Sequence, residues 1–363
     1  MSAQSSPAVI LLAPALDTGA SVADAVDGGT FERRPLDARP WENRLMALLG
    51  LLDPEATASV ALASVPASRL LGATDLAGAP VTVAGDMAAA AAAGRLVVAD
   101  PVSLTPGRDE ATLTPPEALA LAPAEIDALM DAANALLAAD GLAFARGASG
   151  RWYLGGLDAR GLDVPPTHFL ARREAGVHLP GSGEAAPWRR LMTELQMLWH
   201  THPVNEARAD RGATPVNGIW FWGGAVLPER ASTGATATSP PPVVVTENDL
   251  AAALARHAGA TVVSGTALDD ALPGAADGDG GAGGTLAIVD TGAYAAWLAD
   301  DPVALESARA RILATWLAPA ARAVLDGRAA SLVLAGGDSG EAVFAPPPAR
   351  SWFARLFDRD ARR

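Results

Sequence analysis

Residues 243–265, VVVTENDLAAALARHAGATVVSG, read as a strand, a helix and a second strand in turn. Consecutive valines suit a buried strand, because β-branched side chains pack well on a pleated surface. Thr246 or Asn248 can cap the free N–H groups that open the helix, and Gly259 can stop it. Two strands joined through a helix run parallel in one sheet, so this unit points to a parallel sheet with helices on its faces.

The same alternation recurs along the chain. AVILLA (8–13, stopped by Pro14), RLVVADPVSL (95–104), RWYLGGL (151–157), NGIWFWGG (217–224), TLAIVDTG (285–292) and ASLVLAGGDSG (330–340) have the length and composition of strands. Between 121 and 141, Ile126, Leu129, Met130, Ala133, Leu136 and Leu137 form one helical face, started near Pro123 and stopped by Gly141. Leu191, Leu195, Leu198 and Trp199 share a face in a second helix, which Pro203 ends. Residues 303–327 are helical in pattern, and PERASTGATATSPPP and GAADGDGGAGG read as flexible loops. The alternation predicts an α/β fold.

Composition narrows the chemistry. The 363 residues are 50% hydrophobic, enough for one large domain or a core carrying a smaller inserted one. A net charge of −14 predicts no nucleic-acid partner. The absence of lysine excludes a Schiff base and a P-loop, and the absence of cysteine excludes disulfides, thiolate metal sites and cysteine nucleophiles. With no apolar stretch approaching a bilayer span and no basic run before the first strand, the expectations are no membrane span and a cytoplasmic location.

The stretch LWHTHPVNEARADRGATPVNGIWFWGGA (198–225) concentrates the polar chemistry. His200 and His202 are spaced for a metal only on an extended segment; near a helix end their side chains diverge, and imidazoles there can satisfy the helix carbonyls. Asn205, Arg208 and Asn217 could hold a phosphate or carboxylate; equally, the asparagines could tie down turns while Arg208 pairs with an acid. His202, Asn205, Arg208 and Asn217 are therefore the candidate ligand-binding residues. GDSG at 337–340 needs only to be a tight turn. The tail RSWFARLFDRDARR gathers Trp352, Phe353, Leu356 and Phe357 among five arginines, which suits packing on the parent domain or a protein or membrane-surface partner.

In this stretch, His202, Pro203, Val204, Asn205, Arg208, Gly212, Pro215, Asn217, Trp220, Trp222 and Gly223 follow in order a pattern that resembles archaeal-type cofactor-independent phosphoglycerate mutases of the alkaline phosphatase superfamily. The chain is similar more closely to bacterial RpfE-type regulatory proteins, which share the stretch; ADPVSLTPGRD (99–109), the helix after it and RWYLGGL carry that resemblance over residues 95–225. It implies an alkaline-phosphatase-like core, residues 1–94 and 186–363, with a mainly parallel sheet flanked by helices, and an inserted α+β domain at 95–185. For the mutases it implies two metals and a serine nucleophile, the metals polarising phosphoryl oxygens.

The sequence departs from that ligand set. APALDTG (13–19) lacks the aspartate–glycine after the first strand, leaving Asp17 displaced. Asp290 and Asp338 have no following histidine, and none occurs after His257. Ser64 and Ser68 lie near the position of the nucleophile without a local motif. The expectation is a non-catalytic, metal-free and cofactor-free regulatory relative that binds an anionic or phosphorylated metabolite. The alternatives are an active mutase or phosphatase with a divergent ligand set, and an interaction scaffold that captures a protein partner through the C-terminal tail.

Overall fold

The computed structural model describes residues 6–16, 30–34, 41–49, 51, 66–77, 87, 89–91, 93–107, 111–159, 162, 164–171, 185–224, 242–265, 267–276, 284–336 and 340–345. In chain order its elements are β1 (Ala8–Leu12), β2 (Thr30–Arg34), α1 (Trp41–Leu48), α2 (Ala67–Asp75), β3 (Leu96–Pro106), β4 (Ala111–Thr114), α3 (Pro116–Leu119), α4 (Pro123–Leu137), β5 (Ala143–Arg146) and β6 (Trp152–Gly155). Then come α5 (Thr167–Leu170), α6 (Ala186–His200), α7 (Pro203–Asp210), β7 (Gly218–Trp222), β8 (Val243–Thr246), α8 (Asp249–His257), β9 (Thr261–Val263) and α9 (Leu268–Ala276). The last are β10 (Thr285–Val289), α10 (Gly292–Leu298), α11 (Pro302–Ile312), α12 (Ala318–Leu325), β11 (Ser331–Gly336) and β12 (Gly340–Ala345).

The fold is α/β, with two sheets. The larger runs β2-β12-β11-β1-β10-β8-β9; β11, β1, β10, β8 and β9 are parallel, and β12 and β2 join antiparallel at one edge. The smaller is antiparallel, β4-β3-β6-β5, with β7 also on β3. β7 lies beyond the boundary expected at residue 185, yet pairs with β3 from Val98↔Trp222 to Val102↔Gly218.

Period-two alternation splits the parallel strands between two apolar layers. Val9, Leu11, Leu286, Ile288, Val243, Val245, Leu332 and Leu334 face a layer completed by Leu272, Ile312, Leu317 and Ala320 from the helical segments on that side. Ile10, Leu12, Ala287, Val289 and Val244 face the other, with Leu45 and Met46 of α1 and Leu250 and Leu254 of α8. That second layer continues without a break into the antiparallel sheet, through Val97, Tyr153, Trp199 and Trp220. The two sheets therefore share one core.

The expected β8–α8–β9 unit is present. Asn248 is its cap, its side chain accepting from the Ala251 N–H, while Thr246 donates instead to the Val289 carbonyl at 2.9 Å. Gly259, at φ +74°, closes the helix in the left-handed region that a side chain would disfavour. β2 and β12 are additions that the sequence reading did not contain, and Pro203 does more than end a helix. It is the first residue of α7, where its missing N–H costs nothing and its fixed φ suits the first turn. Among the described residues no helix is long and apolar enough to cross a membrane. The loop at 228–241, most of that at 274–284, and the tail from 346 onward lie outside the described residues.

Candidate functional site

Where the carboxyl ends of β8 and β10 meet the antiparallel sheet, a cavity of about 430 Å³ opens. Binding crevices in open α/β sheets lie at this end of the strands, because the loops leave each strand there in different directions. Asn248, Asp249, Thr291 and Tyr294 line it from the parallel sheet, and Asp100, Arg151 and Trp222 from the antiparallel one. Glu42 and His168, from α1 and α5, form part of the wall.

Glu42 is in the first turn of α1, where the helix dipole favours a carboxylate, and it is fully buried. His168 Nε2 lies 2.7 Å from Glu42 Oε1. The two form a close ion pair, and Glu42 Oε2 accepts no hydrogen bond from a described residue. The imidazole is held edge-on by Trp222 and Tyr294, with centroids at 5.7 and 5.8 Å, and the Tyr294 hydroxyl donates to the His168 carbonyl at 2.6 Å. Burial by itself would lower the pKa of His168; Glu42, with Glu117 and Asp100 further off, outweighs this and raises it above the ordinary histidine value.

Asp100 interrupts the apolar run of β3. The Trp222 indole donates to its Oδ2 at 2.6 Å, and the Thr167 hydroxyl donates to the same oxygen. Burial, then the nearby Glu117 carboxylate, push the Asp100 pKa up to about 7 against the opposing Trp222 bond. The cavity thus carries one carboxyl that titrates near neutrality, Asp100, and a buried Glu42–His168 pair whose Glu42 Oε2 accepts no hydrogen bond from a described residue.

The basic charge on the wall is already engaged. Arg151 donates to Asp249 at 3.2 Å and lies 3.6 Å from Asp75. Asp75 also accepts from the Ser149 N–H and hydroxyl, each at 2.7 Å, and from the Tyr153 hydroxyl at 2.8 Å. This network straps the β5–β6 hairpin to α2 and α8, across the junction of the two sheets.

The four residues singled out from sequence lie elsewhere, and none lines this cavity. His202 caps α7, its Nδ1 accepting from the Val204 N–H at 3.2 Å, so the imidazole works at the start of a helix rather than on the carbonyls at the end of one. Buried Asn205 donates to the Trp199 and Val216 carbonyls, both at 2.7 Å, and accepts from the Val216 N–H at 2.8 Å. Buried Arg208 donates to the Thr214 and Leu119 carbonyls at 2.8 and 2.6 Å and to Glu125 at 2.8 Å. Asn217 exchanges both of its amide bonds with the backbone of Leu104, at 2.7 and 2.9 Å. Together they hold the turn from 199 to 217 against β3 and α4. His200 is exposed at the end of α6.

Asp290 follows β10 at the end of the strand, where the mutase resemblance would place a metal ligand. Arg311 donates to its two oxygens at 2.7 and 2.8 Å, the Trp316 indole at 3.0 Å and the Gly292 N–H at 3.0 Å. Burial would raise the Asp290 pKa, but the Arg311 bonds, the Gly292 N–H and Trp316 outweigh it and hold the carboxyl below its ordinary value. Trp316 is aimed there by a π-helical turn, Leu313–Leu317. Pro319, two residues on, has no N–H to return to Thr315, which is a common cause of such a widened turn. Among the described residues no three of His, Cys, Asp and Glu gather to hold a metal ion. Ser68 is buried and its hydroxyl donates to the Gly223 carbonyl at 2.6 Å. Asp17, Ser64 and Asp338 lie outside the described residues.

Sequence reasoning missed Glu42, His168 and Asp100. Asp100 had a signal, a carboxylate inside an otherwise apolar strand; Glu42 and His168 had none, since their burial is set by elements distant in sequence.

No family model matches the chain, and no curated protein does. Among solved structures it is similar to the PH0037 protein from Pyrococcus horikoshii, at 12% identity and a TM-score of 0.44, over 96% of this chain and 90% of that one. It is also similar to a cofactor-independent phosphoglycerate mutase from Thermoplasma acidophilum DSM 1728, at 14% identity and a TM-score of 0.37, over 95% of this chain and 90% of the mutase.

Proposed function

We propose that this chain is a phosphoglycerate-mutase-like protein of the RpfE-type regulatory branch, which binds a small molecule between its two sheets and does not carry out two-metal phosphoryl transfer. The observation that carries this reading is the Asp290–Arg311 pair. A guanidinium engages both oxygens of the carboxylate that the mutase resemblance would give to a metal, at 2.7 and 2.8 Å. With the Trp316 indole and the Gly292 N–H as further donors, the tethered cation takes up the acceptor positions that a divalent ion would need. The cavity beside it supports a binding role, being of a size that suits a small molecule and lined by both aromatic and polar or charged side chains.

The test is metal analysis of the purified protein together with turnover assays on phosphoglycerates, with manganese or zinc added. The expected result is sub-stoichiometric metal and no turnover. Two tightly bound divalent ions per chain with phosphoglycerate turnover would overturn the reading.

A further inference from the structure

We propose that the cavity between the two sheets is a site for a small organic cation bearing N–H donors, an alkylammonium or alkylguanidinium, with Glu42 as its anchor. This rests on the small-molecule-binding reading above and specifies the ligand class. Glu42 is 0% exposed and lines the cavity, and its Oε2 accepts no hydrogen bond from a described residue. A buried carboxylate in that condition is costly, because it has lost its water without gaining donors in return. His168 Nε2 engages Oε1 at 2.7 Å, so Oε2 is the oxygen left for a donor from a guest.

The rest of the wall favours the same sign of charge. Asp100, Glu117 and Asp249 are carboxylic side chains on the cavity, and Arg151, the one arginine among its described lining residues, is already held by Asp249 and Asp75. A phosphate or carboxylate entering here would meet net negative charge in a partly dehydrated space; a cation is attracted by it. Trp41, Trp222 and Tyr294 add ring faces and edges to the wall, and aromatic rings beside a carboxylate are a recognised environment for ammonium and guanidinium groups. Asp100, which titrates near neutrality, gives the site a second readout: a bound cation stabilises its ionised form and expels a proton.

The experiment uses the full chain. Butylguanidinium and butylammonium are titrated while tryptophan fluorescence is followed, and calorimetry is run in buffers of different protonation enthalpy. Butyrate and inorganic phosphate at matched ionic strength are the comparison. The expected result is saturable binding of one cation per chain, proton release near pH 7, and at least tenfold weaker binding in Glu42→Gln. Should Glu42→Gln fail to give a cooperative melt, Glu117→Gln at the exposed rim is read instead, with binding weakened about threefold. Absence of saturable cation binding by folded protein overturns the inference, as does affinity unchanged in whichever variant is read. Saturable binding of butyrate or phosphate that is competed by neither cation also overturns it, while leaving the broader small-molecule reading intact. Metal-dependent turnover would instead strike that broader reading.

Discussion

Arg311 and Asp290 form a two-pronged ion pair across 21 residues of sequence, at 2.7 and 2.8 Å, at the carboxyl end of the strand beside β1. The carboxylate is only 10% exposed while the guanidinium is 49% exposed, so water screens one partner and the backbone fixes the other. Replacing Arg311 with alanine should lower stability by about 1 kcal/mol, the modest figure reflecting that screening. A depressed folded-state pKa gives stability that is present above the unfolded value of 3.8 and is lost as pH falls through the folded one. Arg311→Ala should therefore flatten the loss of stability below about pH 4, measured by urea denaturation across the acid range.

Asp100 has the opposite sign. Its pKa rises from 3.8 to about 7 on folding, so the folded chain holds a proton that the unfolded chain has released. Stability from this group is complete below about pH 4, declines by up to about 1.4 kcal/mol per pH unit, and levels off above about pH 7. Asp100→Asn keeps an acceptor for the Trp222 indole and removes the titration. Its urea midpoint should change less between pH 5 and pH 8 than that of the parent protein.

His168 adds to the alkaline side of the same window. Its folded pKa is raised above 6.5, so the Glu42–His168 pair contributes fully below that value and is lost as pH rises through the folded one. His168→Gln should be less stable than the parent at pH 6, and the difference should shrink as pH rises through the folded value, a convergence that thermal melts can follow. A pH-independent destabilisation would mean that packing against Trp222 and Tyr294, rather than charge, is what the histidine contributes.

Arg208 separates a structural role from a ligand-binding one. It is 1% exposed and holds two backbone carbonyls and Glu125. Arg208→Ala leaves these acceptors without their donor inside the core and should cost roughly 3 kcal/mol or more. Cation affinity at the cavity should stay within twofold of the parent, since Arg208 does not line it. The two numbers come from one urea titration and one binding titration.

The elements were legible because their signals are local. The valines of β8 and the short, continuous apolar runs of β1 and β10 announce buried strands, and Ile126, Leu129, Met130 and Ala133 share the side of α4 turned toward the protein. Leu136, counted on that face by spacing, is 43% exposed, because the stripe is wider than the surface it meets. The polar stretch at 198–225 stands out by composition, but its residues spend their hydrogen bonds on backbone groups of the fold and on Glu125. A list of polar side chains does not distinguish holding a turn from holding a ligand; the bonds they make do.

Sequence alone determined that this chain builds strands, helices and an α/β arrangement, since side-chain periodicity and capping act over a few residues. Only the tertiary structure decided that Glu42, Asp100 and His168 share a cavity and that Arg311 reaches Asp290. Those encounters join segments tens of residues apart, and the charge and water each group meets depend on which segments arrive beside it.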